Sequence, residues 1–122
     1  MGERFPLSLS AVNVVCFKLD WDEKALKVLL IKRNITPHKN KWSLPGGFVQ
    51  GDEKLEEAAV RIFGKETGIA PNYINQFRTY SDTSRDKRLV VNEKIRVITT
   101  SFIAMPKGVN ISPIPSAKAE WP

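Results

Sequence analysis

Histidine and cysteine each occur once in the 122 residues, as His38 and Cys16. A lone cysteine closes no internal disulfide, and neither residue has the partners that a thiol–imidazole pair or a zinc site requires. Cys16 stands among Val14, Val15 and Phe17 and reads as a buried thiol, which suits a cytoplasmic setting. His38, in a polar loop, reads as a surface residue before a general base. Long apolar runs are missing too, so no membrane span is expected. Met1–Ser10 lacks a basic start followed by an apolar stretch, so no signal peptide and no membrane partner are expected. Gly2 is no myristoylation start, because Pro6 stands where Ser or Thr is needed. There is no phosphate-loop motif, heptad repeat, internal repeat or helix-turn-helix pattern.

What is present is globular: 42% apolar and 26% charged residues, enough for one domain over 1–122 with a modest core. Nineteen Lys and Arg against thirteen Asp and Glu give a charge of +6. That balance favours anionic partners (nucleotides, nucleic acid, acidic surfaces) without choosing among them, and a merely solvated surface serves equally. Ala11–Leu19 is rich in β-branched and aromatic residues and predicts a strand. Asp20–Ala25 predicts a turn, and Leu26–Lys32 a second strand closing a hairpin. Arg33–Lys41 is a basic loop. Trp42–Val49 is short, extended and broken by Pro45-Gly46-Gly47. Glu53–Thr67 predicts the one clear helix, with Leu55, Ala58, Ala59, Ile62 and Glu66 on one stripe, Asp52 as N-cap and Gly68 as stop. Strands over Tyr73–Tyr80 and Lys94–Ala104 flank a charged loop at Ser81–Arg88, and the tail from Pro106 has no regular pattern. Strands on both sides of one helix imply a mixed α/β domain.

The chemistry lies in Trp42–Val49 and the helix after it. A glycine pair alone is most simply a tight turn, though it lets backbone approach a ligand closely. From Gly47, five residues lead to Glu53 and seven more to Arg61, followed by Phe63, Glu66, Gly68 and Ile69. This spacing resembles the Nudix box, G-x5-E-x7-R-E-U-x-E-E-x-G-U with U apolar, and matches seven of its nine specified positions. The resemblance implies a Nudix-type α/β/α sandwich with a mixed sheet. It also implies substrates in which a nucleoside diphosphate is linked to another group, with Mg²⁺ held by box glutamates for hydrolysis. Carried onto this chain, the box makes Glu66, Glu53 and Arg61 the catalytic or orienting candidates, Glu66 a metal candidate, and Gly46, Gly47, Phe48 and Arg33 ligand-binding candidates; Glu57 could join Glu66 in a rearranged metal site, and Lys65, a departure from the box, is a further ligand-binding candidate. Mg²⁺ is the cofactor if the domain is an enzyme, and none is needed otherwise.

Two departures from the pattern change the electrostatics. Ile62 and Lys65 stand where the family has Glu. Residues 62 and 66 are one helical turn apart and 65 is adjacent, so all three share one region. The family's three carboxylates become one apolar group, one cation and one anion, a net charge of zero. Mg²⁺ takes oxygen ligands, and a unit charge at ~5 Å in an effective dielectric of about 20 is worth roughly 3 kcal/mol, doubled for a divalent ion. Losing two attractions and gaining a repulsion should cripple metal binding here. Ile62 equally extends the apolar stripe, and Lys65 is either a solvated lysine or a cation offered to the diphosphate in place of metal.

The loop Thr83–Arg88, with Tyr73 and Gln76 before it, resembles that of Nudix-related bacterial regulators that sense ADP-ribose with a damaged box and bind DNA through a separate winged-helix domain. That resemblance adds Arg85 and Asp86 as ligand-binding candidates. It also implies an ADP-ribose-like partner, and DNA only through a domain outside these residues, with a homodimer as the assembly to test. Trp42 and Phe48 are either core or a stacking surface for a base. In similar proteins the stretch at Ala119–Pro122 leads into a final helix. The C-terminal helix is therefore expected to be absent here, the domain to be truncated, and one sheet face to stand exposed unless a partner covers it. Three functions compete: a nucleotide sensor with little or no hydrolysis, a pyrophosphohydrolase with a displaced metal site drawing on Asp52, Glu56, Glu57 and Glu66 and on Asp82 or Asp86, and a nucleic-acid-dependent regulator.

Overall fold

The computed structural model describes residues 8–32, 41–81, 96–106 and 119–120. Strand β1 (Ser8–Asp20) is the axis of the domain. It alternates apolar residues so that Val12, Val14 and Cys16 are buried on one side, as a strand with one packed face must. One edge of β1 pairs in parallel with β7 (Arg96–Pro106), from Ser8↔Arg96 to Cys16↔Ala104. The other edge is shared. Its C-terminal part pairs antiparallel with β2 (Ala25–Val28), and its Ala11–Asn13 stretch pairs antiparallel with β5 (Gly46–Phe48). On the far side of β7 lies β6 (Pro71–Tyr80), antiparallel and twice irregular in register. The five-stranded sheet is thus mixed, in the order β2-β1-β7-β6 with β5 also on β1.

Shared use of that edge explains a difference from the continuous strand expected over Leu26–Lys32. Leu29 N–H still bonds to Cys16 O at 3.0 Å. Beyond that point β5 takes the remaining partners of β1, so the chain leaves for a second, three-stranded sheet. There β3 (Leu30–Lys32) lies between β4 (Trp42–Ser43) and β8 (Ala119–Glu120). The tail expected to lack regular structure therefore supplies a short strand, paired at Leu30↔Glu120 and Ile31↔Ala119. Two residues are too few to carry a periodic signal.

Helix α1 (Leu55–Thr67) covers one face of the large sheet. Ala58, Ala59, Ile62, Phe63 and Thr67 are buried, and the first four join Val12, Val14, Cys16, Leu29, Phe102 and Ala104 in one core. The helix stops because Gly68 adopts a left-handed φ of 74°, open to glycine at no steric cost, and returns its N–H to Gly64 O at 2.8 Å. Thr67 Oγ1 donates to Phe63 O and accepts from Ile69 N–H, so the exit of the helix is also stitched. The start differs from expectation. Lys54, not Asp52, is the N-cap residue, and Glu57 accepts the Lys54 N–H at 2.8 Å. Asp52 sits instead in the turn after Gly51, whose φ is +33°.

At the centre of the sheet face away from α1 the side chains are buried. Val97, Thr99 and Ser101 are 4–5% exposed, and Ser101 Oγ donates to Asn13 Oδ1 at 2.5 Å. The fold is mixed α/β with a mixed sheet, and α1 is the one helix among the described residues.

Candidate functional site

The glycine turn is held by both of its neighbours. Gly46 is the register partner of Asn13 on β1. A side chain there would begin 2.8 Å from Val12 O, so only glycine permits this approach. From the helix, Glu66 Oε1 accepts the Gly46 N–H at 3.0 Å. Val14 N–H bonds to Pro45 O at 2.9 Å, anchoring the turn one residue earlier. Gly47 faces the helix, and the nearest atoms to its vacant side belong to Ile62.

The loop from Phe48 to the helix is closed by a charged latch. Arg61 Nε donates to Glu53 Oε2 at 2.6 Å, and Arg61 Nη2 donates to Glu53 Oε1 at 3.0 Å and to Phe48 O at 3.1 Å. Glu53 Oε1 also accepts the Gln50 N–H at 3.0 Å. A bidentate guanidinium–carboxylate pair with two further backbone bonds fixes the loop's shape more firmly than an ordinary surface ion pair. Its donors hold the Glu53 carboxyl below its ordinary 4.5, the Arg61 guanidinium first and the Gln50 N–H second, and Glu53 in turn raises Arg61. A carboxyl with a depressed pKa in the folded state stabilises fully above its unfolded value and ceases to as pH falls through its folded one. Melting temperatures followed downward from pH 7 should fall more steeply below about pH 4.5 for the parent than for Glu53→Gln. Parallel curves would remove the latch from the account.

The three positions that define the metal trio in the family pattern diverge here. Ile62 is 5% exposed and belongs to the core, Lys65 is exposed, and Glu66 is half-buried with one oxygen on Gly46. Glu57 lies nine positions before Glu66, two and a half helical turns away, on the opposite side of the helix and about 13 Å along it. Its carboxylate serves the helix start. Among the described residues no three His, Cys, Asp or Glu side chains gather as a metal group. The donors at the 62–66 turn therefore do not fit a magnesium ion, which wants several oxygen ligands and no adjacent cation.

The remaining candidates are distributed as follows. Phe48 and Trp42 are 43% and 41% exposed, so both present ring surface outward rather than filling the core. Lys32 Nζ sits 5.9 Å from the Trp42 ring centroid, an exposed cation–π contact that no sequence motif announces. Arg33, His38, Arg85 and Asp86 lie outside the described residues. Burial pushes the Cys16 thiol up to about 12, so it stays protonated and unreactive at neutral pH. No helix among the described residues is long and apolar enough to cross a membrane.

A glycine turn on a mixed sheet, latched to the helix that follows by a Glu–Arg pair, is the arrangement that the box spacing implies. The chain belongs to the Nudix family: the NUDIX domain matches residues 9–121. Among characterised relatives, it is 47% identical over 66 residues to an ADP-ribose pyrophosphatase of Methanocaldococcus jannaschii, covering 54% of this chain and 39% of that protein. It is 36% identical over 86 residues to the ADPR responsive transcriptional repressor NtrR of Acinetobacter baylyi, covering 69% of this chain and 34% of that protein. The chain thus spans little more than a third of either relative's length. In three dimensions it is similar to a MutT/nudix family protein from Enterococcus faecalis, with a TM-score of 0.79 and 29% identity over 99% of this chain and 46% of that one. It is also similar to the NUDIX domain of Shewanella oneidensis NrtR complexed with ADP ribose, with a TM-score of 0.73 and 30% identity over 96% of this chain and 73% of that one.

Proposed function

We propose that this domain binds an ADP-ribose-like ligand, a nucleoside diphosphate joined to a second group, and senses it with little or no hydrolysis. The observation that carries this reading is the 62–66 turn, where an apolar side chain and a cation replace two carboxylates and the remaining one, Glu66, bonds to the glycine turn. Backbone at Gly46, Gly47 and Phe48 approaches the diphosphate, and exposed Lys65 offers it a positive charge without metal. Arg33, Arg85 and Asp86 are the further ligand contacts in this reading. Relatives that respond to or are complexed with ADP-ribose support the ligand class. DNA would be engaged only by a domain outside these residues.

A second reading has one feature in its favour. Glu66 is retained, and the 47% identical relative is an ADP-ribose pyrophosphatase. A hydrolase would have to assemble its ion site around Glu66 with carboxylates such as Asp52, Glu56 or Glu57 brought from elsewhere. Calorimetry with ADP-ribose in EDTA, beside product analysis with Mg²⁺, separates the two. Sensing predicts saturable heat without metal and no mononucleotide product from the parent. It also predicts that Ile62→Glu/Lys65→Glu introduces Mg²⁺-dependent cleavage. Product from the parent that vanishes in Glu66→Gln would establish the hydrolase, and no heat at all would end the sensor.

A further inference from the structure

We propose that Ile62 is a positioning residue that takes the place of a divalent cation, holding the glycine turn in its ligand-binding shape before any ligand or metal arrives. The inference rests on the sensing reading and deepens it. Residues 62 and 66 are one helical turn apart and serve one glycine each. Glu66 bonds to the Gly46 N–H at 3.0 Å, and a Cβ placed on Gly47 would meet Ile62 Cδ1 at 3.1 Å, Cγ1 at 3.6 Å and Cγ2 at 3.8 Å. All three of the nearest atoms belong to this one side chain, so the vacant side of Gly47 is filled by hydrocarbon. Val12, the register partner of Gly47 on β1, is in the same core as Ile62 and is 1% exposed. Ile62 therefore packs below the junction of β1 and β5.

The substitution has an electrostatic logic. A carboxylate at 62 would be held in a buried apolar environment against Gly47, which is costly unless a cation neutralises it. A glutamate there would need a bound ion to lie against the turn. An isoleucine organises it through contact alone, and removes the need for the ion.

Amide exchange read by NMR tests this without ligand, and ADP-ribose titration tests its consequence. In the parent, exchange at Gly46 and Val49, whose N–H groups bond to Glu66 and to Ser10 O, should be unchanged by Mg²⁺. Ile62→Ala should speed both amides by about tenfold or more, leave Val97 in β7 unchanged, and weaken ADP-ribose by about tenfold or more in EDTA. Should Ile62→Ala fail to fold, Gly47→Ala and Ile62→Val replace it. The alanine at 47 should lower the melting temperature less when Cδ1 has been removed than when it is present. Unchanged exchange at Gly46 and Val49 in Ile62→Ala, additive melting shifts in the pair, or Mg²⁺ slowing exchange in the parent would each overturn the proposal. A parent that binds no ADP-ribose ends the sensing reading, while the exchange arm still decides the role of Ile62.

Discussion

Phe63→Ala is expected to destabilise the domain by about 4 kcal/mol and lower its melting temperature by about 15 °C. Phe63 is completely buried and is the largest fully buried side chain among the described residues. It projects from α1 into the core with Val12, Val14 and Phe102, so truncation leaves a cavity that flanking backbone cannot collapse to fill. Small domains have only about 5–15 kcal/mol in total, so the loss is a large share. The same helix carries Ile62, Glu66 and Arg61, and the variant should therefore lose ligand binding in proportion to its unfolded fraction. Chemical denaturation monitored by circular dichroism measures the effect. A midpoint within experimental error of the parent would mean that α1 does not pack as described.

Gly46→Ala is expected to be the most damaging small substitution, costing about 2 kcal/mol of stability and most of the ligand affinity. The added methyl meets Val12 O at 2.8 Å and Asn13 Cβ at 3.1 Å. Val12 O is main chain within the central strand and cannot swing aside, so β5 must lift from β1. That movement carries the Gly46 N–H away from Glu66. Gly47→Ala is the informative contrast, because its obstacle is the flexible end of the Ile62 side chain. Thermal melts of the two variants, with ADP-ribose titrations on each, should rank Gly46→Ala well below Gly47→Ala. Equal behaviour would contradict the close approach of β5 to β1.

Much of this was legible from residue pattern. The alternation of Val12, Val14 and Cys16 identifies β1 and its buried face, and the spacing of Ala58, Ala59 and Ile62 identifies α1 and the side it buries. The family spacing marks Glu53 and Arg61 as organisers of the loop and helix, but helical spacing points Arg61 to Glu57 rather than to Glu53, and its reach to Phe48 O is not legible, since a main-chain acceptor leaves no mark in sequence. The break at Leu29 was hidden because it depends on β5 competing for the same edge of β1, a non-local event. Asp52 resembles an N-cap by residue type, yet Glu57 serves the cap from within the helix, and local propensity cannot rank the two. The outward rings of Trp42 and Phe48 were undecidable because an aromatic beside a glycine turn fits core and surface equally.

Sensing without hydrolysis requires that the 62–66 turn hold no divalent cation. Adding Mn²⁺ to the ¹⁵N-labelled domain and reading paramagnetic broadening residue by residue tests it most directly. The account predicts that the amides of 62–66 and of Gly46–Phe48 keep their intensity at millimolar Mn²⁺, in the parent and with ADP-ribose bound, while Ile62→Glu/Lys65→Glu loses those same signals. Selective loss of the 62–66 signals in the parent at micromolar Mn²⁺ would contradict it.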